Sequence, residues 1–160
     1  MRYFFILGRN PELSLAELTA VLPEHWQPTL YYKEALIVEC DRLEVEPLMR
    51  RLGGTVKIGE VLEDRSIYAV VRDTLAGRGK NEAVSKKAFI GLSAWPIEEQ
   101  AWLPRPTQLR HMGIGVKRAL EELNFKIRLV TSRERTLSSV IVKKEKLLDQ
   151  GVEVCLFYTR

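Results

Sequence analysis

The chain has 160 residues and a mass of 18.4 kDa; 46% of its residues are hydrophobic and 29% are charged. This length fits one ordinary domain or two small ones, and the composition excludes an intrinsically disordered chain. The longest apolar runs, such as Tyr3–Leu7, span only a few residues, whereas a membrane-spanning helix needs about 20. The net charge of +4 is too small to indicate a partner by itself.

The distribution of charge along the chain is more informative than its total. Residues 1–75 carry 9 Lys/Arg and 12 Asp/Glu, a net charge of −3. Residues 76–160 carry 16 Lys/Arg and 9 Asp/Glu, a net charge of +7. Such an asymmetry between the halves predicts two units with different partners.

The first unit, residues 1–65, is predicted to contain six elements. In chain order these are a strand at Arg2–Leu7, a helix from Pro11, strands at Leu30–Tyr32 and Ala35–Cys40, a helix from Val45 to Leu52 and a strand at Thr55–Glu63. Asn10 suits the N-cap of the first helix, and Gly53-Gly54 suit the end of the second. The order βαββαβ predicts a ferredoxin-like domain.

The second unit, residues 66–160, is predicted to alternate helices and strands. It begins with a helix at Ser66–Leu75 closed by Gly77, a strand at Lys87–Ser93 and a loop with several prolines at Trp95–Pro106. A helix capped by Thr107 follows, and its buried stripe consists of Leu109, Met112, Val116, Leu120 and Leu123. The last elements are a strand at Lys126–Thr131, a helix at Ser138–Leu148 and a strand at Val152–Tyr158. This alternation favours an α/β layer. The fold class predicted for the whole chain is therefore α/β (α+β).

The N-terminus and the cysteines favour a cytoplasmic protein. The segment that begins with the first three residues lacks the long apolar core and the small-residue cleavage site of a secretory signal,. Cys40 and Cys155 lie in apolar alternating segments, where buried free thiols are the expected state. With two distant histidines, His25 and His111, and no CxxC pair, the sequence predicts no metal site,.

No catalytic motif can be recognised in the chain. GxSxG, the P-loop and the Rossmann GxGxxG are all absent,. Gly113-Ile114-Gly115 lies in a helical pattern, which favours close helix packing over a phosphate loop. The adjacent acids Glu98-Glu99 and Glu121-Glu122 suit a solvated surface, and His111 has no evident partner. We therefore predict no catalytic residue in these 160 residues.

Basic residues form the strongest functional signal. Between Arg105 and Lys146 there are eleven Lys/Arg and only four Asp/Glu. The candidate RNA-binding residues are Arg110, Lys117 and Arg118 on the first helix of this stretch, Arg133 and Arg135 in the next loop, and Ser138, Ser139, Lys143 and Lys144 on the helix that follows. Backbone N–H groups at a helix start favour a phosphate. The pattern predicts a phosphate-binding face, against the alternative of a merely solvated basic surface.

Three segments resemble one protein family. Tyr3–Leu18, Lys87–Ser93 and Thr136–Lys144 are similar, in order and spacing, to the archaeal and eukaryotic tRNA guanine-N2-methyltransferases that carry a THUMP domain. The resemblance spans nearly the whole chain. It implies a ferredoxin-like domain followed by a THUMP domain that binds the 3′ CCA end of tRNA. Together the two domains would set the distance from this end at which a guanine is presented to the catalytic domain.

The resemblance also implies roles for residues and for a missing domain. Lys143, Lys144 and the helix start at Ser138-Ser139 would lie on or near the RNA-binding surface, flanked by Arg133 and Arg135. The family's catalytic signature, Asp/Asn-Pro-Pro-Tyr, is absent because the chain has no Pro-Pro pair. Methyl transfer and S-adenosylmethionine binding would therefore belong to a C-terminal domain or a partner subunit, and no cofactor is expected in this chain.

Two alternatives stay open from the sequence. The chain could be the front end of another THUMP enzyme, such as a thiouridine synthase, or a small ferredoxin-like ligand-binding protein with an incidental basic face. Among the aromatic residues near the basic stretch, most are expected in the core. Trp102, in its proline-rich loop, is the best candidate to stack on a base.

Overall fold

The computed structural model describes residues 1–79 and 87–160. These residues form a mixed α/β structure, which confirms the predicted class at that level. The chain divides into two compact units. The first comprises Met1–Glu63, Pro96–Ala101 and Thr159–Arg160, and the second comprises Asp64–Trp95 and Trp102–Tyr158. Within the described part of the chain, no helix combines the length and the apolar character needed to cross a membrane.

The first unit is built on a four-stranded antiparallel sheet with two helices. Its elements are β1 (Arg2–Leu7), α1 (Pro11–Val21), β2 (Gln27–Tyr32), β3 (Ala35–Glu39), α2 (Val45–Arg51) and β4 (Thr55–Glu60). The strands lie in the order β2-β3-β1-β4, and each neighbouring pair is antiparallel. β1 therefore occupies an inner position, paired with β3 on one side and β4 on the other.

Local sequence signals explain these elements. The Asn10 side chain accepts a hydrogen bond from the Leu13 backbone N–H at 3.2 Å, and Pro11 takes the first turn, as expected for a helix start,. Alternate residues of β1 then face the helices, because successive side chains of a strand point to opposite faces. Phe5 packs in this way against the buried Leu18 of α1.

The second unit is a three-layer arrangement around a smaller sheet. Its elements are α3 (Ile67–Gly79), β5 (Ala88–Pro96), α4 (Pro106–Glu121), β6 (Ile127–Val130), α5 (Ser139–Lys144), α6 (Leu147–Gln150) and β7 (Gly151–Tyr158). The strands lie in the order β6-β5-β7, and β5 and β6 are parallel. β7 runs in the direction of β5, since its first residue contacts Phe89 and its last packs near Ala94.

The two faces of this sheet carry different helices. On one face, the buried Leu120 of α4 and Val71 of α3 pack against Ile90 and Ile127. On the other face, α5 and α6 join a cluster that includes Phe89, Val130 and the loop residue Leu137. Helices on both faces are typical of a parallel sheet, so α4 and α5 lie on opposite sides of it.

The helix boundaries of the second unit differ in part from those predicted. Thr107 is not the cap of α4: the helix starts one residue earlier, at Pro106, because proline suits the first helical position and needs no N–H partner there,. Gly77 does not close α3, which continues to Gly79. Leu123 does not belong to the buried stripe, since it follows the helix and is half exposed.

The predicted single helix over Ser138–Leu148 is also wrong. The chain forms two short helices, α5 and α6, because Lys146 adopts a left-handed backbone conformation with φ of 55°. A helix cannot continue through such a residue. The break places Leu147 in the core, whereas Leu148 is 69% exposed.

Candidate nucleic-acid interface

The candidate interface lies at the carboxyl ends of β5 and β6. Open α/β sheets bind ligands in the crevice outside the carboxyl ends of their strands. The loop over residues 97–105 leaves β5 at this edge, and the loop over residues 131–138 leaves β6 beside it. Arg105, Arg133 and Arg135 lie on these loops and are exposed. The edge therefore combines an open sheet end with three basic side chains.

The loop after β6 is fixed to the strand beside it. Its Arg135 carbonyl accepts a hydrogen bond from the Ala94 N–H at 2.9 Å. Its Leu137 N–H donates to the Ser93 hydroxyl at 2.9 Å, and that hydroxyl donates to a Glu153 carboxylate oxygen at 2.5 Å. Because Ser93 is fully buried, these bonds are shielded from water and hold the loop in one conformation.

A further bond joins the two loops. The guanidinium Nε of Arg135 donates to the Pro104 carbonyl at 3.2 Å, while the rest of the side chain reaches solvent. A basic group that is fixed before a ligand arrives loses less side-chain entropy on binding. Arg135 thus combines a structural bond with a charge available for a phosphate.

Arg110 of α4 borders a concavity at the same edge. The concavity is small and open to solvent, with apolar walls from Leu92, Leu109 and Leu129 and a polar rim from Arg110, Thr131, Ser132 and Glu134. The single acid on this rim partly offsets the charge of Arg110. The structure therefore brings Arg110 together with the loop that carries Arg133 and Arg135.

The other two basic candidates of α4 differ from Arg110. Lys117 lies two turns beyond Arg110 on the same flank, but its Nζ is 3.6 Å from the Glu121 carboxylate. Arg118 is rotated by about 100° from Lys117 and is exposed on the outer side of the helix. The three residues consequently do not project together, because one position changes the direction of a helical side chain.

The candidates on α5 lie on the other face of the sheet. The Ser138 hydroxyl accepts a hydrogen bond from the Ile141 N–H at 3.3 Å, so it caps its own helix. Ser139, Lys143 and Lys144 are exposed. The six-residue helix α5 and the helix α4 cover opposite faces of the sheet. The structure therefore does not bring Lys143 and Lys144 to the side of Arg110.

Most of the basic residues between positions 105 and 146 make no ion pair with another described residue. Lys117 pairs with Glu121, and Arg128 lies 3.4 Å from Glu145. The other nine make no ion pair within the residues that the structure describes. Unpaired exposed cations raise the local potential and attract anions. These exposed cations make the second unit the candidate for binding an anion.

Sequence reasoning missed the residues that position the basic loop. Ser93, Glu153 and Pro104 lie in a strand, another strand and a proline-rich loop, and each contacts its partner over 31 or more positions. No local pattern marks such residues. A polar residue within the apolar run of β5 was the one available signal, because buried polar groups are nearly always hydrogen-bonded.

Two further features of the described residues concern a metal ion and a phosphate loop. Within residues 1–79 and 87–160, no group of three or more His, Cys, Asp or Glu could hold a metal ion. Gly113 serves helix packing, as predicted, because an added Cβ would lie 2.6 Å from Leu129 Cδ1, while Gly115 faces open space. Both glycines lie inside α4 rather than in a strand-to-helix turn, so they do not form a phosphate loop,.

Comparisons of the chain with models of protein families, with curated proteins and with solved structures gave no match. The assignment of a function therefore depends on the residues themselves and on the resemblance of three sequence segments. Both the residues and the resemblance concern the basic edge of the second unit.

Proposed function

We propose that this chain is the RNA-binding N-terminal region of an S-adenosylmethionine-dependent tRNA guanine-N2-methyltransferase of the cytoplasm. In this proposal the second unit is a THUMP domain that holds the 3′ CCA end of tRNA, and the first unit is a ferredoxin-like domain that helps to position it. S-adenosylmethionine binds to a catalytic domain outside this chain, in a C-terminal domain or a partner subunit.

The observation that carries the proposal is the set of unpaired basic side chains in the second unit. Single-stranded RNA ends are held by charge along the backbone and by contacts to unstacked bases. Arg105, Arg133 and Arg135 lie on two loops at one sheet edge, which the hydrogen bond from Arg135 to the Pro104 carbonyl joins. A surface with fixed cations and an adjacent exposed aromatic residue suits a single-stranded polyanion.

The first unit supports the proposal through its topology. The element order βαββαβ with strands in the order β2-β3-β1-β4 is compatible with a ferredoxin-like domain,. Its helix start at Asn10-Pro11 falls inside the first segment of the resemblance. The net charge of −3 over residues 1–75 makes this region the less suitable one for a polyanion, so we assign it a positioning role.

The test is a comparison of two forms of one tRNA. The 160-residue chain is titrated with tRNA that carries the CCA end and with the same tRNA lacking it, over a series of salt concentrations. We expect binding of the complete tRNA to weaken steeply with salt, since phosphate contacts release counterions, and the truncated tRNA to bind about tenfold more weakly.

Two results would contradict the proposal at different levels. Equal affinity for both tRNA forms would remove the recognition of the 3′ end and leave general RNA binding. No affinity for either form at low salt would remove RNA binding itself and would favour the alternative of a ligand-binding protein whose basic face is incidental.

A further inference from the structure

Trp102 is a large apolar side chain that the protein leaves in solvent. It is 59% exposed, whereas Trp95 is 9% exposed. Its ring makes an edge contact with Tyr158, with ring centroids 6.1 Å apart and an interplanar angle of 67°. Tyr158 is itself half-buried, and burial raises the pKa of its hydroxyl. An edge contact of this kind orients the tryptophan ring and leaves ring surface available to another flat group.

The loop that carries Trp102 is firmly anchored. Pro104 is fully buried, and Pro106 occupies the first turn of α4. The two prolines restrict the backbone on either side of Arg105, because each fixes φ near −65°. The N–H of Arg105 is also fixed, since it donates to the Gln108 side-chain oxygen at 2.7 Å. Trp102 therefore projects from a segment with little freedom to turn it inward.

One arginine lies near Trp102 in sequence, and another bonds to the same loop. Arg105 follows Trp102 by three residues and is exposed. Arg135 reaches the same loop through its hydrogen bond to the Pro104 carbonyl, and Arg133 precedes it on the fixed loop. An exposed indole ring within a cationic edge is the combination that binds single-stranded nucleic acid, where bases stack and phosphates pair with cations.

We propose that Trp102 is a stacking platform for one unpaired base of a single-stranded RNA whose phosphates lie against Arg105, Arg133 and Arg135. This inference rests on the proposed function and specifies a contact that it requires. Stacking uses the face that every base presents, so the platform tolerates any base and adds affinity without reading sequence. The phosphate contacts supply the dependence on salt.

The experiment measures binding of a short single-stranded RNA that ends in CCA and of the same RNA with abasic residues at its 3′ end. The variants are Trp102→Leu, which keeps apolar bulk against Tyr158, and Trp102→Phe, which keeps an aromatic ring. Leu13→Ala is the matched control, because Leu13 is a similarly exposed apolar residue of the first unit. Circular dichroism verifies that each variant is folded.

We expect Trp102→Leu to weaken binding of the complete RNA about tenfold, which is the size of one stacking contact. Trp102→Phe and Leu13→Ala should stay within about threefold of the unchanged chain. The slope of log K against log salt should be the same for all variants, because stacking releases no counterions. On the abasic RNA, Trp102→Leu should bind as well as the unchanged chain.

Three outcomes would overturn the inference. Salt-dependent binding that Trp102→Leu leaves unchanged would remove the stacking contact while RNA binding stands. An equal loss on complete and abasic RNA would show that Trp102 only supports the loop. No RNA binding by the unchanged chain would overturn the stacking contact and the proposed function together, and would favour a protein partner for this aromatic residue.

Discussion

The two units differ in where their charged side chains find partners. In the first unit, the Glu17 carboxylate accepts hydrogen bonds from the N–H groups of Gly53 and Gly54, at 2.8 and 2.9 Å, and so connects α1 to the end of α2. Arg2 forms an ion pair with Glu63 in the same unit. In the second unit, most cations between positions 105 and 146 make no ion pair among the described residues. The second unit has internal ion pairs too, such as Arg65–Asp73 and Arg72–Asp73, but it also presents a cluster of cations that make no ion pair among the described residues.

This contrast explains why the modest total charge of the chain does not predict whether it binds a polyanion. A net charge of +4 suggests weak electrostatics when it is averaged over the chain. Where cations are unpaired, their number matters more than the total, because binding of a polyanion depends on local contacts. The same reasoning predicts that substitutions in the two units have different consequences for RNA binding.

The largest expected effect comes from removing a buried leucine in either unit. Leu120 of α4 and Leu18 of α1 are both fully buried, so Leu120→Ala and Leu18→Ala should each lower the free energy of unfolding by about 2–5 kcal/mol. Denaturant titration measures this loss. We expect Leu120→Ala to abolish tRNA binding at moderate denaturant, where Leu18→Ala still binds within about threefold.

The outcome that would reverse the comparison is loss of tRNA affinity in Leu18→Ala alone. RNA binding would then depend mainly on the first unit, despite its negative charge. A conservative pair, Leu120→Met and Leu18→Met, controls for volume, because volume-conserving exchanges cost less than about 1.5 kcal/mol.

The second-largest expected effect is on tRNA binding, and it compares two pairs of basic residues that each lie in the last turn of a helix. Lys143-Lys144 form the last turn of α5, and Arg50-Arg51 form the last turn of α2. All four are exposed, and reversal to Glu disfavours each helix similarly through the helix dipole. We expect the double reversal at 143 and 144 to weaken tRNA binding about tenfold and to lower the salt slope by about 0.7 for each lost contact.

The double reversal at 50 and 51 should leave both the tRNA affinity and the salt slope unchanged. Equal effects of the two double variants would mean that the tRNA responds only to total charge. No effect at 143 and 144 would remove α5 from the interface and confine the interface to the sheet edge with Arg110 and Arg133.

The sequence predicts the order of the elements in the first unit well because local signals mark several boundaries, although β2 begins at Gln27 and not at the predicted Leu30. Asn10 and Pro11 start α1 where the pattern places it, and β1 has the predicted bounds Arg2–Leu7. Short connections between these elements leave few alternatives. β4 ends at Glu60 rather than Glu63, because pairing with β1, and not the alternation of side chains, determines where a strand stops.

The second unit is less predictable because long-range contacts determine its details. Nothing in the residues around Lys146 marks the left-handed conformation that divides α5 from α6. The candidates Arg133 and Arg135 were found from composition, but the bonds through Ser93 that fix their loop join residues 44 positions apart. A sequence pattern can therefore identify basic candidates without showing which of them share a face.

The smallest effect tests the internal use of charge in the first unit. The N–H groups of Gly53 and Gly54 lower the pKa of Glu17 below its ordinary value of 4.5. A carboxyl group with a lowered pKa in the folded state stabilises the fold above the unfolded-state pKa, and this contribution is lost as the pH falls through the folded-state pKa. Glu17→Gln should therefore lower the urea midpoint at neutral pH and flatten its decline in acid.

Unfolding by urea from about pH 7 to about pH 3 measures this difference, with Glu24→Gln, an exposed residue after α1, as the matched control. The two urea midpoints of Glu17→Gln and the unchanged chain should converge at the acid end, since the carboxyl is then protonated in both states. A gap that persists there would mean that Glu17 acts through packing instead of charge. The tRNA affinity of Glu17→Gln at neutral pH should equal that of the unchanged chain, because this carboxylate bonds within the first unit, away from the candidate RNA-binding residues of the second.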